Sequence, residues 1–182
     1  ATAGGVLLLL AIAGLGLYTW TPSSTPMDEA KILNAAQHYD VRVIRDDFGV
    51  PHIYGKRDAD VAFGLGYAHA EDDFETIQLV IALSRGKLAE YKGLDAARTD
   101  YLIDLFRVRE DLDARYDTDL SLEMRAVLDA YVAGLNLYAL EHDDEAWANL
   151  FPVTAQDVVG GFAFRAPFFH NLDRDLAELF AE

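Results

Sequence analysis

The stretch from Asp46 to Gly55 contains Asp47-Phe48-Gly49, the tripeptide with which protein kinases hold magnesium, and histidines at 38, 52, 69, 142 and 170 invite a search for metal or acid–base chemistry. Neither reading survives the spacing. A kinase needs a glycine-rich phosphate loop, a strand lysine and a His-Arg-Asp loop with a downstream Asn, in fixed order, and none of these occurs. No two histidines lie within four residues of each other and no His-Glu-x-x-His is present, so a local zinc pair is absent. His52, which follows a proline, reads as a structural hydrogen-bonding residue. His69 to Glu75, His-Ala-Glu-Asp-Asp-Phe-Glu, is the densest charge feature. On a helix its acids spread around the axis, which suits a solvated or helix-pairing face better than a calcium or general-acid site. Ser23, Ser24, Ser84 and Ser121 have no Gly-x-Ser-x-Gly context, so the nucleophile search also fails.

Composition narrows the classes further. Acidic residues outnumber basic ones 31 to 15, a formal charge of −16 over 182 residues, and such a surface repels phosphate backbones, which argues against nucleic acid as a partner. With no cysteine, disulfides, thiolate nucleophiles and Cys-based metal sites are excluded. An apolar fraction of 52% supplies ample core and excludes disorder for most of the chain.

The elements that must position any site begin after an unusual amino-terminal stretch. Residues 1–20 carry no Asp, Glu, Lys, Arg or His, and the apolar run from Val6 to Leu17 ends near Trp20, an interfacial residue type. We read 1–20 as a membrane anchor or signal segment, with an uncleaved anchor favoured because the small-x-small pattern Ala11-Ile12-Ala13 lies inside the run. Residues 21–27 form a Ser/Thr/Pro linker, and 28–182 make the globular part. There the pattern predicts a helix opening at Thr25-Pro26 and running to about Gln37, then a strand, turn, strand unit over 41–55 with Val41, Val43 and Arg45 on one face and Pro51 at a strand start. Phe63, Tyr67, Ala70, Phe74, Ile77 and Ile81 recur at four and three, predicting one long helix from Asp58 to about Arg85. Further helices are predicted over Asp100–Leu112, Ser121–Leu140 and, capped by Thr154, to about Phe164 before a break at Pro167. Two strands have no evident partners within the chain, so they are expected to complete a sheet supplied by another chain.

Three phrases in order sharpen this reading: Val-Ile-Arg-Asp-Asp-Phe-Gly-Val-Pro-His-Ile-Tyr-Gly (43–55), the segment from Asp58 to Leu79 with Gly66-Tyr67 and Ala70-Glu71-Asp72, and Ser-Arg-Gly-Lys-Leu-Ala-Glu-Tyr-Lys-Gly (84–93). Together they resemble the penicillin acylase family of amino-terminal-nucleophile hydrolases, which includes acyl-homoserine-lactone acylases. The likeness is specific over Val43 to Gly93 and weaker through about Phe180. Where the family often has Ala-Gln-Asp-Arg, this chain has Ala70-Glu71-Asp72-Asp73, a departure that leaves the substrate open.

The resemblance implies an α+β fold, in which a mostly helical small chain contributes strands to an αββα sandwich completed by a second, large chain cut from the same precursor. It implies a nucleophile on the amino-terminal Ser of that large chain, an acyl-enzyme intermediate, and hydrolysis of a linear amide with an apolar acyl group. No catalytic residue is expected in the present chain. By position, Phe162, Arg165, Phe168 and Phe169 would line the acyl pocket. No cofactor is required; a structural calcium is the exception some relatives carry, and Asp173 and Asp175 are its candidate ligands here. The expected location is extracytoplasmic, tethered through 1–20. The rivals are a non-catalytic, membrane-anchored helical interaction module and an acylase that processes itself without turning over substrate.

Overall fold

The computed structural model describes residues 26–172 together with Arg174 and Glu178. Residues 1–20 and most of the linker, along with Asp173 and Asp175, lie outside the described residues. Among the described residues no helix is long and apolar enough to cross a membrane.

The first helix, α1 (Glu29–Ala36), begins later than Thr25-Pro26 suggests, because Asp28 is the cap: its carboxylate accepts the amide of Lys31 at 3.0 Å. Strands β1 (Val41–Arg45) and β2 (Pro51–Gly55) pair antiparallel, Val43 opposite Ile53 and Arg45 opposite Pro51. Pro51 opens β2, where its missing amide costs least. The Asp-Phe-Gly tripeptide is the hairpin's turn. Asp46 Oδ1 accepts the amides of Phe48 (2.9 Å) and Val50 (3.0 Å), and Gly49 supplies φ +82°. His52 Nε2 lies 3.2 Å from Asp46 Oδ2, and this contact together with the Val50 amide holds the Asp46 carboxyl below its ordinary range. His52 is therefore structural, as its position after the proline implies.

Helix α2 (Asp58–Ser84) follows the expected span, and Phe63, Ala70, Phe74, Ile77 and Ile81 of its apolar stripe are buried. It is not continuous: Asp73 leaves helical geometry at φ −153°, ψ 58°, and its Oδ1 accepts the Thr76 amide at 3.4 Å. An Asp followed by a fresh helical turn acts as an internal N-cap, which aspartate favours over a helix interior. The acids before it are gathered by Arg45, whose Nη2 lies 2.5 Å from Glu71 and 2.8 Å from Asp72. That pairing anchors the hairpin to α2, with Val41, Val43 and Ile53 packed over Gly64.

A short α3 (Leu88–Lys92) and a 3-10 turn (Leu94–Ala96) lead into α4 (Ala97–Leu105) and α5 (Val108–Asp119). The Asp100 carboxylate caps α3 from a distance, accepting the amides of Leu88 and Ala89, both at 2.8 Å. The single helix expected over Asp100–Leu112 is thus two. Arg107, at φ 52°, turns the chain between them so that α5 lies against the later helix that starts after Thr154. Helix α6 (Leu122–Glu141) starts at Ser121, whose Oγ accepts the Met124 amide at 3.2 Å. Helix α7 (Ala155–Arg165) starts at Thr154 as expected and passes into a 3-10 turn (Ala166–His170) at the proline.

The core lies where α2 crosses α6, with Leu135, Ala139 and Leu150 fully buried. Asn136 is the polar pin of this core: its Nδ2 donates to Val153 O (2.9 Å) and its Oδ1 accepts the Val153 amide (2.7 Å). Both partners are buried, so Asn136→Ala leaves two main-chain groups unsatisfied, and a loss of about 2–3 kcal/mol in urea denaturation is expected. The fold is mostly helical with a two-stranded sheet whose two outer edges have no strand partner among the described residues.

Candidate functional site

Helix α7 is the element on which the expected pocket residues ride, and its placement rests on one buried carboxylate. Asp157, 1% exposed, accepts Thr154 N (2.7 Å) and Thr154 Oγ1 (2.8 Å), closing the capping box. It also takes a two-point contact from Arg85, Nε to Oδ1 at 3.0 Å and Nη2 to Oδ2 at 2.7 Å, and a third from Arg109 Nη1 at 3.0 Å. Arg85 reaches on to the carbonyls of Leu150 (2.7 Å) and Pro152 (3.2 Å). Burial alone would raise the Asp157 carboxyl, but the Arg85 and Thr154 bonds outweigh it and hold the group below its ordinary range. One arginine from the end of α2 and one from α5 thereby lock the start of α7 to the rest of the bundle. Arg85 belongs to the Arg-Gly-Lys-Leu-Ala-Glu phrase, where its local spacing marks only a helix end. Its partner lies 72 positions away.

Set this way, α7 presents Val158, Phe162 and Arg165 along one stripe to α2 and α6. They close a cleft of about 280 Å³ whose other walls are Ile77, Val80 and Ile81 from α2 and Leu135 from α6. Close approach is possible because α7 carries glycine at 161, where a Cβ would sit 2.8 Å from Val80 Cγ1. The cleft is apolar apart from His69, Thr76, Tyr131 and Arg165. His69 Nδ1 and the Tyr131 hydroxyl are 2.7 Å apart, and burial pushes the Tyr131 hydroxyl up to about 12. No serine lines the cleft, and among the described residues no base is hydrogen-bonded to the Thr76 hydroxyl, Asp73 accepting only its main-chain amide. The site can bind an apolar group; it has no activated nucleophile of its own.

Of the residues expected from sequence, Phe162 and Arg165 meet in this cleft. Phe162 is 74% exposed, a rim aromatic with one face uncovered. Phe169 is 82% exposed in the 3-10 turn and is not part of the cleft wall. The side chain of Phe168, like Asp173 and Asp175, lies outside the described residues. Among the described residues no group of three or more His, Asp or Glu converges on a metal position. The sequence reading gives His69 only a place on a charged helix face and Tyr131 no site role, although their spacing carries a signal: 69, 76 and 80 on α2, 131 and 135 on α6, and 158, 162 and 165 on α7 each repeat at helical intervals.

A larger cavity of about 450 Å³ opens on a neighbouring face of α7, between it and α5, lined by Phe106, Leu112, Val159, Ala163 and Phe164 among others. Its charged residues, Asp111, Arg115 and Asp119, belong to the same helix and do not converge with groups from elsewhere. The smaller cleft, where three helices bring polar and apolar groups together, is the better site.

The sequence model of the penicillin amidase family matches residues 40–170, and the chain belongs to that family. Among individual relatives, the acyl-homoserine lactone acylase QuiP of Pseudomonas putida is 30% identical over 151 residues, which cover 82% of this chain and 18% of that protein. The penicillin acylase 2 proenzyme of a Pseudomonas species is 36% identical over 102 residues, 54% of this chain and 12% of its own length. The chain therefore spans less than a fifth of these relatives. In structure it is similar to the thermostable penicillin G acylase from Alcaligenes faecalis, with a TM-score of 0.58, 24% identity, and coverage of 68% of this chain and 70% of that one. That likeness establishes the α+β fold.

Proposed function

We propose that the chain is the small-chain part of a self-processing amidohydrolase that cleaves a linear amide into a carboxylic acid and an amine. The observation that carries the reading is the half-built cleft: apolar walls fit for an acyl group, a rim aromatic with one face uncovered, and no activated nucleophile within it. The reacting Ser would be the amino-terminal residue of a large partner chain, its own α-amino group acting as base through a water. An oxyanion hole on that chain would stabilise the tetrahedral intermediate, and water would then release the acid from the acyl-enzyme. The role of the present chain is to hold the acyl group: Phe162 caps it, Val80 and Leu135 flank it, and Arg165 stands at the rim. Family membership supports the chemistry, and the unpaired edges of β1 and β2 support a sheet completed by the partner.

Phe168 and Phe169 are offered as further contacts to the acyl group once the partner is in place. A calcium held by Asp173 and Asp175 would be structural, and the reaction makes no use of it. The uncharged segment 1–20 supports tethering at the outer face of a membrane. Acyl-homoserine lactones and penicillins, which the names of relatives carry, both bear acyl groups that an apolar cleft accommodates in kind.

Intact mass and amino-terminal sequencing of the expressed full-length gene product test the proposal, followed by release of amine from a panel of acyl amides. A second, larger chain beginning with Ser and hydrolysis of at least one amide are the expected results. A single unprocessed species that hydrolyses none would overturn it and favour the interaction module. Phe162→Ala is expected to raise KM for an apolar acyl amide about tenfold, with a smaller change in kcat, since burying an aromatic contributes roughly 1.5–3 kcal/mol.

A further inference from the structure

The polar groups of the cleft are unevenly placed. Ile77, Val80, Ile81, Leu135 and Val158 make its walls apolar, while His69 from α2 and Tyr131 from α6 meet at one place, Nδ1 to hydroxyl at 2.7 Å with their rings 6.3 Å apart. Neither side chain makes another hydrogen bond among the described residues. The Tyr131 hydroxyl, raised to about 12 by burial, stays un-ionised at neutral pH.

A neutral pair of this kind has two arrangements. Either Tyr131 O–H donates to Nδ1 and the imidazole hydrogen sits on Nε2, or Nδ1–H donates to the phenol oxygen and the Tyr131 hydrogen is free. Each arrangement leaves one N–H or O–H donor unspent, and a protonated imidazole leaves two. Tyr131 is half-buried and His69 exposed, so where the unspent donor is the Tyr131 hydroxyl a hydrocarbon chain that fills the cleft strips water from it and offers nothing in return, whereas a chain with an oxygen acceptor at the right carbon satisfies it. Sites that hold a hydrogen-bonding group reject ligands lacking the partner much more strongly than apolar walls reject a change of size.

We infer that the His69–Tyr131 pair is a specificity-determining contact of this cleft, donating a hydrogen bond to a keto, hydroxyl or ether oxygen carried on the acyl chain. The inference rests on the acylase reading above and narrows its substrate to oxygen-substituted acyl groups. Phe162 and Arg165 act at the rim, so this contact selects among acyl chains that already fit.

The test uses the full-length, self-processed enzyme and amides of one amine whose acyl chains have equal length, one a plain hydrocarbon and the others bearing a single keto oxygen at successive carbons. The wild type is expected to favour one keto isomer over the hydrocarbon by about tenfold in kcat/KM. Tyr131→Phe, which keeps the ring, and His69→Leu each leave one untethered donor and lower that ratio severalfold. The double variant brings it close to one. No preferred isomer in the wild type, or a ratio unmoved in the double variant, overturns the inference while hydrolysis itself leaves the acylase reading standing. Failure of the wild type to hydrolyse any amide overturns both.

Discussion

Alanine at Gly66 or Gly134 is expected to remove about 3 kcal/mol or more of stability, the upper end of what overpacking costs, and to abolish soluble expression of a chain with a typical margin of about 5–15 kcal/mol if both are changed. The two glycines mark the crossing of α2 and α6. A Cβ on Gly66 would lie 2.1 Å from the Tyr131 carbonyl oxygen, and one on Gly134 would lie 2.2 Å from the Phe63 carbonyl oxygen and 2.8 Å from the Tyr67 amide nitrogen. The obstructing atoms are main chain inside two long helices, so neither can swing aside as a side-chain tip does. The helices must separate, and the separation opens the buried cluster around Leu135 while parting Tyr131 from His69. Denaturant midpoints of the processed protein measure the loss, with Gly93→Ala as a contrast: there a Cβ meets no atom within 4 Å, and the strain comes only from φ +83°.

The second large effect belongs to Asp157. Asp157→Ala leaves the Arg85 guanidinium largely buried beside an empty position and strips α7 of its capping box, so a loss of about 3–5 kcal/mol is expected. Arg109→Ala is expected to cost only about 0–1 kcal/mol, because the Arg109 side chain is 47% exposed and water replaces much of what it loses. If the two variants lose equal stability, the clamp is not centred on the carboxylate. The same group sets an acid limit. Its folded value lies below the ordinary 3.8 because the Arg85 and Thr154 bonds more than offset its burial. The unfolded chain therefore binds the proton first. The stabilisation is fully present above about pH 4 and is lost as pH falls through the folded value. Asp60, held at about 2 chiefly by Arg57, acts in the same direction. Urea midpoints between pH 5 and 2 should fall steeply in the wild type and less steeply in Asp157→Asn.

Much of the local structure was legible because its causes lie within a few residues of one another. The Asp46 carboxylate reaching Phe48 and Val50, a glycine free to take φ +82°, Thr154 with Asp157 three positions on, and the three-and-four rhythm from Phe63 to Ile81 are all short-range patterns. They placed the hairpin, the long helices and the break near Pro167. Two local features misled. Asp73 read as one more acid on a helix face, and the apolar positions from Ile103 to Leu112 read as one helix, because periodicity averages over a single residue that leaves helical geometry.

What the sequence by itself determined is therefore the set of elements, their caps and the family to which they point. Which faces meet was decided only in the tertiary structure. Arg85 finds Asp157 across 72 positions, Arg109 finds it across 48, and His69 finds Tyr131 across 62. No periodicity or turn rule links residues so far apart. They come together because glycines at 66 and 134 let two backbones touch, which brings α2 against α6, and because a buried carboxylate draws two arginines that lie far from it in the chain.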